Sequence, residues 1–191
     1  MPKKRYGMLI DLRRCIGCHT CSIACKAQHD VPLGSYRNWV KQVEKGRFPY
    51  VRKAFLPILC NHCERPVCCT VCPVKATYVR PEDGLVMINP HRCIGCRYCM
   101  AACPYNVRFV NPRFNIVEKC DFCQKLLDQG MLPACVEACP TQALTFGDVY
   151  DPNSDIARLL ATSPVQVIKP EMGTYPQTFY IDMDLDIVGA R

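Results

Sequence analysis

No run of eighteen apolar residues occurs in the 191-residue chain, so the sequence predicts no helix that spans a bilayer. A secretory signal is missing too: MPKKRYGMLIDLRRC opens basic, but Asp11 cuts its apolar stretch short of an h-region. The Arg13-Arg14 pair matches a twin-arginine signal only superficially, because it runs directly into cysteines that read as ligands. Such a chain reaches the far side of a membrane only together with a partner. Aromatic residues do not interleave with the Lys and Arg in a repeating pattern, which argues against nucleic-acid binding. Also missing is a constellation of acid, base and nucleophile, so the chain reads as non-catalytic by itself.

Cysteine, by contrast, is abundant. Seventeen of them, about 9% of the residues, put thiol chemistry ahead of the apolar core in holding the fold together. Disulfides, zinc and iron–sulfur clusters compete for such thiols, and spacing separates them. The first group is Cys15, Cys18, Cys21 and Cys25; the second is Cys60, Cys63, Cys68 and Cys72, with Cys69 left over. The third is Cys93, Cys96, Cys99 and Cys103; the fourth is Cys120, Cys123, Cys135 and Cys139. Groups one and three follow Cys-x2-Cys-x2-Cys-x3-Cys, whereas groups two and four are stretched by four and eleven residues between their second and third cysteines.

Zinc sites usually join two Cys-x2-Cys pairs across a long loop. Three cysteines at two-residue spacing suit three corners of a cubane instead. In the bacterial run of this spacing the fourth cysteine ligates the other cluster of the pair. The sequence therefore predicts four [4Fe-4S] clusters. A structural zinc protein and a disulfide framework are the competing readings.

The flanks show which groups belong together. LVMINPHRCIGC before group three matches GMLIDLRRCIGC before group one, and CPVKATYV after group two matches CPTQALTF after group four. ATYVR and LVMIN, joined by PEDG, read as a β-hairpin linking groups two and three. By the repeat, ALTF (143–146) should pair with MLID (8–11). Two nested ferredoxin-like modules result, in an α+β, loop-rich fold with short strands and helices. Residues 1–25 and 104–148 form the outer module, 26–59 an insertion, 60–103 the inner module and 149–191 a C-terminal wrapping tail.

Crossing the last cysteines gives the expected ligand sets. They are Cys15, Cys18, Cys21 with Cys139; Cys120, Cys123, Cys135 with Cys25; Cys60, Cys63, Cys68 with Cys103; and Cys93, Cys96, Cys99 with Cys72. Pairing group one with two and three with four is the alternative, and it leaves the hairpin between Cys72 and Cys93 unexplained. The formal charge of +7 fits clusters as well: sixteen thiolates around four cubane cores add about −8, leaving a loaded protein near −1. The basic excess then reads as internal counter-charge.

The order of the groups, with CNHCERPVCCTVCP as the second and CDFCQKLLDQGMLPACVEACP as the fourth, resembles the four-cluster electron-transfer (beta) subunits of complex iron–sulfur molybdoenzymes. Those of polysulfide, thiosulfate, tetrathionate and dimethyl sulfoxide reductases are most similar, and the resemblance extends to KPEMGTYPQTFYI near the C-terminus. It implies a subunit of an oxidoreductase complex in anaerobic respiration, carrying electrons between a molybdopterin (Mo or W) catalytic subunit and an integral membrane quinone-reactive subunit. It implies a peripheral, membrane-associated complex, on the periplasmic face by co-export with a partner, with the cytoplasmic face as the alternative. An independent soluble polyferredoxin is the competing function. Cys96 and Cys99 are both present where nitrate reductase beta subunits replace a group-three cysteine by tryptophan, and the chain ends at IDMDLDIVGAR without the membrane helix of formate dehydrogenase beta subunits.

Residues outside the quartets carry plainer expectations. Cys69 reads as a small buried residue beside the ligand Cys68. His19, His29, His62 and His91 should form local hydrogen bonds, since every quartet is complete without them. Trp39, the only tryptophan, belongs either to a partner interface or to packing over the clusters. Lys75 reads as a solvated lysine, with tuning of the neighbouring cluster as the alternative. In the tail, Asn153 or Ser154 should cap a helix over DIARLLATS, VQVIKP and TFYID should be strands, and nothing carries chemistry.

Overall fold

YGMLID, ahead of the first cysteine group, has apolar residues on both sides of its two-residue period and becomes a strand buried on both faces. It is the organising strand of a computed structural model that describes residues 4–189. The ends of the expected segments 1–25 and 149–191, residues 1–3 and 190–191, lie outside the described residues. In chain order the elements are β1 (Tyr6–Asp11), α1 (Thr20–His29), β2 (Asn38–Arg47), β3 (Tyr50–Leu59), α2 (Val67–Thr70), β4 (Thr77–Val79) and β5 (Val86–Ile88). Then come α3 (Tyr98–Ala101), β6 (Arg108–Asn111), β7 (Ile116–Lys119), α4 (Gln124–Leu127), α5 (Ala134–Glu137) and β8 (Leu144–Asp148). The last segment adds α6 (Asp155–Thr162), β9 (Val165–Gln166), β10 (Thr178–Ile181) and α7 (Leu185–Gly189). Strands and short helices joined by much irregular chain make this a mixed, loop-rich α+β fold.

The main sheet has the order β8-β1-β10-β9. β1 and β8 are antiparallel, with Met8 opposite Phe146 and Ile10 opposite Leu144, the pairing expected from the flanking repeat. β4 and β5 form the expected hairpin, Thr77 opposite Ile88 and Val79 opposite Val86. Residues 26–59 are mostly a ten-register hairpin of β2 and β3, and the expected boundary after Cys25 falls inside α1, which continues to His29. A third hairpin, β6 with β7, joins groups three and four.

The tail does not merely wrap. β10 lies beside β1, parallel to it, with Met8 opposite Thr178 and Asp11 opposite Ile181. Tyr180 is fully buried and donates its hydroxyl to the Pro57 carbonyl at 2.9 Å, tying β10 to the β2–β3 hairpin. Of VQVIKP only Val165–Gln166 is strand, because Lys169 turns into the left-handed region ahead of a short 3₁₀ turn at Pro170–Met172. α6 is capped as expected at Ser154, whose hydroxyl accepts from the Ala157 N–H at 3.2 Å. Met8, Ile10, Leu56, Leu85, Phe122 and Tyr180 build the main core, and cysteines of groups two and four are embedded in it. Leu9, on the opposite face of β1, packs under α6 with Ile156 and Ile181.

Candidate functional site

Each Cys-x-x-Cys pair turns in the same way. The residue before the second cysteine has positive φ in all four groups: Gly17 at 68°, His62 at 42°, Gly95 at 69° and Phe122 at 55°. Glycine is used where the turn is crowded. A Cβ on Gly17 would fall 2.2 Å from the Phe55 ring, and one on Gly95 would fall 2.6 Å from the Asn115 carbonyl oxygen. After the last cysteine, Cys-Pro opens a second repeated turn, with positive φ at Lys75, Asn106 and Gln142. This turn aims a backbone N–H back at sulfur: Ala76 N–H donates to Cys72 Sγ at 3.2 Å and Ala143 N–H to Cys139 Sγ at 3.4 Å. Cys25 follows a different course. No proline succeeds it, and it sits within α1, the longest helix of the fold.

These turns bring the cysteines into quartets. Cys60, Cys63, Cys68 and Cys103 line one cavity. Cys72, Cys93, Cys96 and Cys99 line a second. Cys15, Cys18, Cys21 and Cys139 line a third. In each, three cysteines come from one group and the fourth from another, as in the crossed sets. The remaining four are mutual neighbours: burial and then the Cys123 thiol push Cys25 up to about 12, and burial, Cys123 and Cys25 together push Cys135 up. Cys120 is raised well above the usual thiol range by complete burial and by Cys25. None of the seventeen cysteines forms a disulfide. A wider cleft between Arg37, Met87 and Asp121 is lined by no cysteine.

Cys69 stays outside the cavity that Cys68 lines, and it is half-buried rather than buried because α2 is a single turn near the surface. Its thiol hydrogen-bonds Cys68, and that bond, with Arg108 and Lys119 nearby, holds Cys68 below the usual thiol range. The four histidines do different things. His62 is buried, accepts the Val86 N–H at Nδ1 (3.1 Å) and donates from Nε2 to the Cys120 carbonyl (3.1 Å). Those bonds fix a neutral tautomer, and burial, with Lys119 nearby, keeps its pKa well below the usual range. It stacks on Phe122 with ring centroids 3.9 Å apart, a link between groups two and four. His29 Nε2 lies 3.2 Å from Cys123 Sγ, and His19 Nε2 lies 2.6 Å from Gln42 Nε2. His91 is exposed at the surface. Trp39 is on the outer face of β2, whereas its neighbour Val40 faces the Cys15 cavity. It lines none of the three cysteine cavities described above. Lys75 is exposed.

The donors around the inner cavities show what chemistry the thiols suit. Arg108 is 7% exposed and Lys119 4% exposed, and among the described residues neither forms a salt bridge with a carboxylate. Lys119 Nζ donates only to the carbonyls of Val86 and Cys120. Arg108 Nη1 reaches Thr77 Oγ1 at 3.4 Å, and the guanidinium otherwise meets only the thiols of Cys68 and Cys99. Asn61, 1% exposed in the same cavity wall, has both side-chain polar atoms unpartnered. Leaving a buried cation uncompensated costs several kcal/mol. A cubane with four thiolates, carrying about −2 and rich in sulfur acceptors, would satisfy these donors. The residues present fit an iron–sulfur cluster.

The sequence reading missed four of these groups. Asn61, Arg108 and Lys119 look like ordinary polar residues until the β4–β5 and β6–β7 hairpins fold them inward. Thr174 belongs to the tail expected to carry no chemistry, yet it lines the Cys60 cavity and hydrogen-bonds the Cys63 thiol. Its segment is held there because the Glu64 and Arg65 N–H groups donate to the carbonyls of Tyr175 and Thr174 at 2.9 and 3.1 Å. Only the presence of this segment within the resembling stretch KPEMGTYPQTFYI could have pointed to it.

Among the described residues no helix is long and apolar enough to cross a membrane. Residues 51–149 match the 4Fe-4S dicluster domain family. The B subunit of tetrathionate reductase from Salmonella typhimurium is 47% identical over 187 residues, covering 96% of this chain and 74% of that protein. Protein NrfC of Escherichia coli is 46% identical over 179 residues, covering 93% of this chain and 80% of its own. The B subunit of polysulfide reductase from Wolinella succinogenes is 45% identical over 186 residues, covering 93% and 94%. Repeated turns, cysteine quartets, unpaired buried cations and relatives over nearly the whole length converge: the chain belongs to the 4Fe-4S dicluster family of iron–sulfur subunits.

Proposed function

We propose that this protein is an electron wire, the non-catalytic subunit of an oxidoreductase complex, carrying electrons through four [4Fe-4S] clusters. The observation that carries the reading is the sorting of twelve cysteines into three cavities by the crossed rule. The clusters are held by Cys15, Cys18, Cys21 and Cys139; by Cys120, Cys123, Cys135 and Cys25; by Cys60, Cys63, Cys68 and Cys103; and by Cys93, Cys96, Cys99 and Cys72. When bound, these groups supply one-electron carriers whose potentials follow charge, hydrogen bonding and exposure. The chain's own part is to hold four thiolates per site, to donate N–H groups to sulfur and to exclude water from the interior sites.

The modules follow from the same pairing. Residues 60–103 form the inner ferredoxin-like module, and 1–25 with 104–148 the outer one. The insertion 26–59 and the segment 149–191 brace them. Exposure supports an order along the wire. Cys18 and Cys96 are exposed and have exposed isoleucines, Ile16 and Ile94, as neighbours in identical CIGC turns, whereas the set of Cys25, Cys120, Cys123 and Cys135 is wholly buried and the buried Cys60 and Cys99 lie toward the interior of their sets. The Cys15 and Cys93 clusters are therefore the two terminals. Reductase subunits among the relatives support partners: a molybdopterin catalytic subunit at the Cys15 end and a membrane quinone-reactive subunit at the Cys93 end. The complex is peripheral to the membrane, on the periplasmic face.

The test is purification of the native complex through a tag on this chain. A brown preparation with about sixteen irons per chain is expected, the number four cubanes require. A colourless zinc protein would overturn the reading. Cys103→Ser should perturb the cluster of Cys60, Cys63 and Cys68 first in spectroscopic assignment, and damage confined to the Cys93 cluster would refute the crossed sets.

A further inference from the structure

One buried cation reaches residues of both inner sites. Arg108 lines the cavity of Cys60, Cys63, Cys68 and Cys103. Its Nη1 reaches Thr77, which lines the cavity of Cys72, Cys93, Cys96 and Cys99. Strand β6 starts at Arg108, four residues after Pro104, so the turn that follows Cys103 delivers the guanidinium between the two quartets. The charged groups that act on it are Cys68, Cys60, Cys99 and Cys103, drawn from the ligand sets of both inner sites. Its side chain hydrogen-bonds the thiols of Cys68 and Cys99, one cysteine from each inner quartet. The guanidinium stays protonated, so it is a fixed charge rather than a proton carrier.

We propose that Arg108 is a shared electrostatic positioning residue that raises the reduction potentials of both inner clusters together. The proposal rests on the ligand sets given above. One electron takes each site from about −2 to about −3 and requires no proton, because Arg108 keeps its own. A buried cation stabilises the more negative, reduced state, and the low-dielectric wall leaves its field little screened. Because the same charge faces both sites, its removal must move both. Raised together, the inner pair keeps the gap between its two potentials while both become easier to reduce. Lys75, exposed beyond the Cys72 turn, is too well solvated to do this.

The experiment is a redox titration of the assembled complex, following each cluster's spectroscopic signature in Arg108→Gln, Arg108→Met, Arg108→Lys and Lys75→Gln. Iron content and the four signatures are counted first; their absence in the unaltered complex would refute the four-cluster reading itself, separately from this inference. With four clusters loaded, the neutral Arg108 variants should lower the reduction equilibrium of both inner clusters about tenfold, a fall of about 59 mV for one electron. Arg108→Lys should recover most of that fall, and Lys75→Gln and the two outer clusters should stay in place. A shift in one inner cluster only, equal shifts in all four, or no shift would overturn the proposal. So would failure of both neutral variants to load the inner clusters, which would assign Arg108 to assembly instead of tuning.

Discussion

At the scale of single residues, the cysteine turns distinguish backbone need from space. Gly95 and Gly130 both have positive φ, 69° and 76°, but only Gly95 faces an obstacle, the Asn115 carbonyl; nothing lies within 4 Å of a Cβ on Gly130. Gly130→Ala should therefore cost about 1 kcal/mol of left-handed strain, and Gly95→Ala more, because backbone must also give way. The check is the rate at which visible absorption is lost to a chelator under anaerobic conditions, with Gly95→Ala fastest, Gly130→Ala between, and the parent slowest. Equal rates would show that the CIGC turn tolerates the displacement. Which cysteines line each of the three cavities was legible in the sequence at this scale because their spacing is local and the crossed rule needs no coordinates. Arg108, Lys119 and Asn61 were not, because burial of a polar side chain is decided by which hairpins close over it. Lys75, adjacent to a ligand in sequence, points to water.

At the scale of elements, the turn signal PEDG foretold β4 against β5, and the repeat in the flanks carried that pairing over to β1 against β8, since similar flanks imply similar partners. TFYID read as a strand and is β10, but its place between β1 and β9 has no counterpart in the repeat. The β2–β3 hairpin carried a readable signal in NWVKQVEKGRFPYVRKAFLPIL, alternation with a Gly and Pro near the turn, which the reading of 26–59 as an insertion does not use. The two tail elements should differ in weight. Tyr180→Ala, which empties a fully buried site and orphans the Pro57 carbonyl, should cost about 3–5 kcal/mol. Ser154→Ala, which removes one cap hydrogen bond, should cost about 1 kcal/mol. Denaturant midpoints of the assembled complex should fall in that order; a tail that only wraps would give two small, similar shifts.

At the scale of the whole molecule, charge and fold depend on the same cofactors. Without clusters most thiols are protonated and the formal charge stays at +7; with four clusters it falls to about −1. Chelation of iron under reducing conditions should therefore turn a chain that passes a cation exchanger at neutral pH into one that is retained. Loss of compactness should accompany it, since Arg108 and Lys119 would be left buried beside neutral thiols. Chelated protein that kept both its elution position and its protease resistance would mean that the thiols do not hold iron. This much of the molecule was visible in the composition: a basic excess with no surface pattern to explain it.

The placement of Thr174 and β10 also sets a timetable. β1 is made early and waits for Thr178–Ile181 to arrive beside it, and the wall of the Cys60 cavity stays open until Thr174 is in place. Partners so distant in the chain meet late in folding. During synthesis the cysteines of all four groups emerge before either of these segments does. The nascent chain thus has a period in which every thiol is present and the Cys60 site lacks one side. Iron delivery to that site is best matched to a chain whose synthesis has passed residue 181.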